Sequence, residues 1–169
     1  MRIRSERKED VVHIRAVNLA AFETALEADL VDALRAQASP FLSLVAADGD
    51  EAAIVGHILF TPVTLEDSRD LRLMGLAPMA VLPAKQRQGV GSALVREGLA
   101  HCRSLHVDAV VVLGHADYYP RFGFAPASRF GIRSEYDVPD DVFMALELRE
   151  GALQGRNGVI RYHPAFADA

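Results

Sequence analysis

Residues 85–95 read KQRQGVGSALV, and the fold turns on how that stretch is understood. An apolar run ends at Pro83. Two basic residues, Lys85 and Arg87, and two glycines, Gly89 and Gly91, follow, and a helical pattern begins at Val90. The first amides of a helix lack an intrahelical acceptor, and the macrodipole adds positive potential at that end. Glycines there let an anion come close to the backbone. The junction therefore reads as a seat for a phosphate, with a pyrophosphate as the simplest ligand. The competing reading is a helix start loosened by glycine and flanked by solvated charge.

Two common phosphate signatures do not fit. No Gly-Lys-Ser/Thr is present, which excludes a Walker A loop, and Leu94 occupies the third glycine position of the dinucleotide fingerprint. Five residues, Ala84 to Gln88, separate Pro83 from Gly89, too many for the first turn of a dinucleotide-binding fold.

Outward from the junction, the chain alternates helical and strand periods. Residues 2–5 predict a first strand. Lys8-Glu9-Asp10 opens an amphipathic helix with its acids in the first turn, where the macrodipole favours them. A second helix is expected from about Glu27 to Gln37, stopped by Ser39-Pro40. Leu42–Ala47 and Ala53–Thr61 predict a hairpin across a polar turn centred on Asp48-Gly49. A third strand runs from about Leu71 to Leu82. Val90, Leu94, Gly98, Cys102 and Leu105 share one stripe of a helix over 90–105. The apolar run 108–114 suits a strand covered on both faces. A short helical segment with Tyr118, Tyr119 and Phe122 follows, then a strand at Val142–Leu148. In the tail, Val159–Tyr162 is expected to pair or dock. The order predicts an α/β domain with a mixed sheet, antiparallel first and parallel around the Leu71–Gly114 crossover.

Bulk properties narrow the function. The chain has 169 residues, of which 50% are apolar, enough for one domain with a real core. A net charge of −5 argues against a nucleic-acid partner, which usually meets a basic face. One cysteine, Cys102, allows no intrachain disulfide and suits a reducing compartment. Neither a signal-peptide core nor a membrane-length apolar run is seen. The expectation is a cytoplasmic protein without a membrane partner.

Gln86-Arg87-Gln88-Gly89-Val90-Gly91 after Val81-Leu82-Pro83 forms a Q-x-x-G-x-G motif. It resembles the acyl-CoA-binding motif of the GNAT superfamily of N-acetyltransferases. VVVLGHADYYPRFGFAPA (110–127) resembles the second signature of that superfamily: strand, short helix, then Tyr119-x-x-x-Gly123-Phe124. Two motifs in the right order are far more specific than either alone, and the element order over 2–149 agrees. EADLVDALR (27–35), the YYPRFGF segment and IRYHPAF (160–166) also look like a bacterial subfamily of predicted acetyltransferases with mostly unassigned substrates. One departure stands out. Many members carry Asn seven residues before the tyrosine, and Val112 occupies that place here.

The resemblance implies a single-domain GNAT-like fold over 1–150, with splayed strands flanked by helices and a tail, 151–169, packing on or extending it. It implies acetyl-CoA as cosubstrate and a primary amine, on a small molecule or a protein, as acceptor. Homodimers are common in the superfamily, and the sequence leaves the oligomeric state open. Met79, Ala80 and Val81 would bond the pantetheine, and the Val81 amide would polarise the thioester carbonyl. Arg87, Gln88, Gly89, Val90, Gly91 and Ser92 would hold the pyrophosphate. Tyr119 would be the general acid, since a phenol stays protonated at neutral pH. Tyr118 beside it leaves a one-residue alternative, and the spacing to Gly123 favours Tyr119. No general base is legible. Glu23 and Glu27 lie where the superfamily shapes its acceptor pocket, and His57 lies on a strand; each also reads as a surface or packing residue. Tyr136, in the acidic run Glu135, Asp137, Asp140 and Asp141, is a candidate wall of the acceptor pocket. His101, Cys102 and His106 do not complete a metal set. Asp48, Asp50 and Glu51 resemble half a calcium loop, but the hairpin turn accounts for them. A non-catalytic acyl-CoA-binding or sensor module is the alternative function.

Overall fold

Apolar periodicity places most of the elements where they form. A computed structural model describes residues 1–49 and 53–168. Along the chain run β1 (Arg2–Ser5), α1 (Val11–Ala21), α2 (Leu26–Gln37), β2 (Leu42–Ala47), β3 (Ile54–Leu65) and β4 (Leu73–Val81). They are followed by α3 (Val90–Ser104), β5 (Ala109–Leu113), β6 (Ala125–Pro126), β7 (Ile132–Ser134), β8 (Phe143–Glu147) and β9 (Gly158–Arg161). Asp50 and Glu51, read as part of the polar hairpin turn, lie outside the described residues.

The chain divides into two compact units, and β3, β4 and α3 each contribute to both. The first comprises Met1–Thr61, Ala77–Leu99 and Pro164–Ala169. In it β1, β2 and β3 form an antiparallel meander, with Ile3 opposite Ala46 and Leu44 opposite Ile58. One face is covered by α1 and α2: Ile14, Val17, Leu30, Val31 and Leu34 meet Val45, Leu59 and Ala80. Each of the Val, Leu and Ile side chains contributes about 1.5–3 kcal/mol on burial. The first turns of α3 lie close to β3. A Cβ at Gly98 would collide with the Phe60 ring, and one at Gly56 would fall 2.9 Å from Val90 Cγ1. Two glycines on facing elements thus set how near the helix comes.

The second unit comprises Pro62–Leu76 and Ala100–His163. Here the start of β4 pairs in parallel with β5, Leu73 opposite Ala109 through Leu76 opposite Val112. β5 pairs antiparallel with β8, which pairs with β6. Val111, Phe143, Ala145, Ile132, Leu153 and Ile160 share its core. Val112, which stands where many relatives have Asn, is buried in the β5–β8 register opposite Met144.

Three expectations need correction. β3 continues to Leu65, because Thr64 and Leu65 pair with β9. α3 stops at Ser104, so Leu105 is not on the buried stripe and is 45% exposed. The backbone turns back through His106, at φ 61°, and the amide of Val107 reaches the Cys102 carbonyl, so Val107 takes the buried place. The short helical segment expected after β5 forms as a single 3-10 turn, Tyr119–Phe122, closed by Gly123 at φ 99°. The short strands β6 and β7 carry no period long enough to be seen in sequence.

His57 is fully buried, so of its two readings the packing one holds. Its Nε2 lies 2.9 Å from Ser43 Oγ, and its Nδ1 3.3 Å from Asn18 Nδ2. Ser43 Oγ is also 2.7 Å from a Glu6 carboxylate oxygen. The carboxylate can only accept, so the Ser43 hydroxyl donates to Glu6 and accepts from His57 Nε2–H. His57 Nδ1 then accepts from Asn18. This makes His57 neutral, and burial pushes its pKa down to about 3. Arg35 of α2 grips Glu6 from the other side at 2.8 and 3.0 Å. The chain of bonds ties α1 and α2 to β2 and β3.

Candidate active site

Pro78 has no N–H to offer a ladder, and β4 runs five residues beyond the end of its register with β5 at Leu76. Met79 and Val81 are half-buried there, and Ala80 packs into the helical core. Leu82 returns its amide to the Val55 carbonyl at 2.9 Å. A 3-10 turn, Pro83–Lys85, then leads to the glycines.

The side chain of Gln86 gives the motif glutamine a physical role. Its Nε2 donates to the Val81 carbonyl at 3.1 Å, pinning the loop to the end of β4. Gln88 Nε2 does the same to the Ala84 carbonyl at 3.1 Å. Arg87 sits at φ 63° and Gly89 at φ 87°, so two residues in the left-handed region turn the chain sharply into α3. A Cβ at Gly89 would meet no heavy atom within 4 Å, so the glycine serves conformation and leaves open space. The amide of Ala93 makes the first bond of α3, to the Gly89 carbonyl at 3.0 Å. The preceding amides, from Val90 through Ser92, therefore lie ahead of the helical ladder. Lys85 departs from the sequence reading: its Nζ lies 3.1 Å from Asp48, so its charge is paired with the hairpin. Arg87 is exposed and has no ion partner among the described residues.

On the same unit, Glu23 is exposed in the bend between α1 and α2, and Glu27 is half-buried in the first turn of α2. Glu27 Oε1 is sealed from solvent without a hydrogen-bond partner among the described residues.

In the second unit, Tyr119 is 7% exposed. A Cβ at Gly114 would collide with its ring, so the glycine after β5 makes room for the phenol. Phe124 meets the ring edge-on at 5.7 Å and Tyr118 at 5.0 Å. Burial, with Tyr118 adding to it, pushes the Tyr119 pKa up to about 12. Tyr118 is half-buried, with the Arg121 guanidinium 4.5 Å from its ring centre. Tyr136 lies in the loop after β7, its ring 5.7 Å from that of Tyr162. Glu135 is not simply a solvated acid: it accepts from the Tyr162 amide at 2.9 Å and from Arg161 at 3.3 Å. No cluster that could hold a metal occurs among the described residues. Sequence reading missed the Glu6–Ser43–His57–Asn18 chain, since its members lie far apart and signal nothing singly.

The GNAT acetyltransferase family model matches residues 9–124. The uncharacterized N-acetyltransferase YjhQ of Escherichia coli K12 is 46% identical over 138 residues, covering 79% of this chain and 75% of its own. Uncharacterized N-acetyltransferase YhbS of the same strain is 37% identical, covering 98% of both chains. The crystal structure of E. coli YhbS in complex with CoA superposes with a TM-score of 0.91 at 36% identity, over 98% of this chain and 91% of that one. A GNAT family acetyltransferase from Brucella melitensis, in complex with acetyl-CoA, gives 0.79 at 36% identity over 98% and 97%. Like these proteins in sequence and in fold, the chain belongs to the GNAT family of N-acetyltransferases.

Proposed function

We propose that the protein moves an acetyl group from acetyl-CoA to a primary amine by direct attack, with Tyr119 as general acid. The observation that carries the reading is the junction after β4. Gln86 holds the loop against Val81, Gly89 leaves open space, and the first amides of α3 precede its ladder. That arrangement fits a pyrophosphate, with Arg87 as the nearby cation. The CoA and acetyl-CoA complexes of the two similar structures support the same cosubstrate.

Acetyl-CoA supplies the thioester. Met79, Ala80 and Val81 have backbone groups past the β5 register to bond the pantetheine, and the Val81 amide polarises the thioester carbonyl. The neutral amine nitrogen bonds to the carbonyl carbon, the carbon–sulfur bond breaks, and the Tyr119 phenol passes its proton to the departing sulfur. The nitrogen loses a proton to solvent, and the Tyr119 phenolate takes one back from solvent. A pKa of about 12 keeps Tyr119 protonated, as an acid requires. Glu23, in the bend between α1 and α2, and Glu27, in the first turn of α2, are the candidate acceptor-binding carboxylates of this reading. The protein works in the cytoplasm; no helix among the described residues is long and apolar enough to cross a membrane.

The reading is tested by heating the protein with acetyl-CoA and by following thiol release. A raised melting temperature with amine-dependent release supports transfer. Binding without release across an amine panel supports the sensor alternative, and no binding overturns both.

A further inference from the structure

Two cations stand at the junction between β4 and α3, and their surroundings differ. Arg87 is exposed, with no ion partner among the described residues. The Lys85 ammonium lies 3.1 Å from a carboxylate oxygen of Asp48, the residue that follows β2. Both residues belong to the first unit. Asp48 is itself fixed, because its amide donates to the Ala53 carbonyl at 3.0 Å across the hairpin. The hairpin thus brings an anion to a loop whose own charges are positive.

The loop is folded so that Lys85 lies near the glycines. Gln88, next to Gly89, reaches back with its side-chain amide to the carbonyl of Ala84 at 3.1 Å, and Ala84 precedes Lys85. One glutamine side chain spans that gap, and the lysine stem is longer and flexible. An ammonium released from Asp48 comes within reach of an anion on the first amides of α3.

The pair is weak enough to be exchanged. Its side chains are 40% and 43% exposed, and an exposed pair resists separation by about fivefold at most. It is also a single contact. Elsewhere the chain grips acids with two-pronged arginines: Arg156 holds Asp70 at 2.7 and 2.8 Å, and Arg4 holds Asp10 at 2.6 and 3.1 Å. A lysine is a point charge, and a rival anion takes it over without matching a fork. A pyrophosphate carries more charge than one carboxylate and has the helix amides beside it.

We propose that Asp48 competes with the pyrophosphate of acetyl-CoA for Lys85, and so sets the affinity of the junction. Lys85 rests on Asp48 before the cosubstrate arrives. As the pyrophosphate enters, the ammonium passes to a phosphate oxygen and the Asp48 carboxylate is left to water. Parting the pair is subtracted from the binding of acetyl-CoA. Asp48 is therefore a positioning residue that acts through Lys85. The proposal rests on the acetyl-transfer reading above.

The test is a double-mutant cycle read by calorimetric titration with acetyl-CoA. Lys85→Met weakens Kd in both backgrounds, but the loss should be about fivefold larger in Asp48→Asn than in the wild-type chain, the worth of the pair that no longer has to part. That difference should shrink as salt is raised, which a packing effect would not do. Asp48→Glu keeps the rival anion and should leave Kd near the wild-type value. Losses that agree within twofold, or a larger loss in the wild-type chain, show two charges acting independently or a pair kept in the complex, and overturn the proposal. If acetyl-CoA binds none of the chains, the transfer reading fails. Inorganic pyrophosphate then decides the competition by the same comparison: the larger loss in Asp48→Asn upholds it, and equal losses or no binding overturn it.

Discussion

The side-chain amide of Gln86 donates to the main-chain carbonyl of Val81 at 3.1 Å. One bond thus joins the first letter of the glycine motif to the residue whose amide is proposed to polarise the thioester. Gln86→Ala removes it. The expected result is an acetyl-CoA Kd about tenfold weaker, as befits one hydrogen bond that orders a loop, with little change in melting temperature because Gln86 is exposed. Calorimetric titration reads it; an unchanged Kd would remove Gln86 from the binding apparatus.

Gly89 separates conformation from space. At φ 87°, alanine is strained although nothing stands within 4 Å of its Cβ. Gly89→Ala should cost about 1 kcal/mol, a fall of about 2–4 °C in melting temperature for a chain of this length. Gly89→Glu adds bulk and negative charge where the pyrophosphate is proposed to sit, and should weaken acetyl-CoA binding more than a hundredfold. Equal affinity in the two variants would place the phosphate elsewhere.

Tyr119→Phe keeps the ring that packs on Gly114 and removes the proton. Turnover should fall about a hundredfold, while acetyl-CoA affinity stays within twofold and Tyr118→Phe changes little. The pH profile carries a second check. The folded pKa of Tyr119 is raised from 10 to about 12, so the acid form persists below that value. No descending limb from this residue should appear between pH 7 and 10. A limb near pH 10 that vanishes in Tyr119→Phe would contradict the buried acid.

His57 makes stability depend on pH. Its pKa is lowered from 6.5 to about 3 in the folded chain, so the unfolded chain binds the extra proton as pH falls below 6.5. Its contribution is intact above 6.5 and is lost progressively down to about 3. Between pH 6.5 and 5 the loss should be about 2 kcal/mol. The carboxylates with lowered values, Glu6 and Asp10 among them, start from 4.5 and 3.8, so their contribution is present at pH 5 and above and is lost only at lower pH. Urea midpoints at pH 7.5 and 5.0 should converge in His57→Gln. A wild-type midpoint that does not move over that interval would show His57 charging without unfolding.

What could be read from sequence followed locality. The glycine junction, α2 and β2 are written in contiguous residues with a clear period, and the two motifs carried the family. Gln86 was legible as a motif letter, but its bond to Val81 needs the loop to double back. Lys85 read only as positive charge at the junction, because its partner Asp48 lies far away in the chain. β6 and β7 have two and three residues, too short for any period, and exist because β8 and β9 pair with them. His57 lies in an apolar strand, where a histidine alone does not disclose that Ser43, Glu6 and Asn18 satisfy it.

The most direct measurement is thiol release from acetyl-CoA by the wild-type protein across a panel of primary amines. The account predicts release that requires an amine, saturates with it, and falls about a hundredfold in Tyr119→Phe. Acetyl-CoA that binds and raises the melting temperature, yet yields no amine-dependent thiol with any member of the panel, would contradict it.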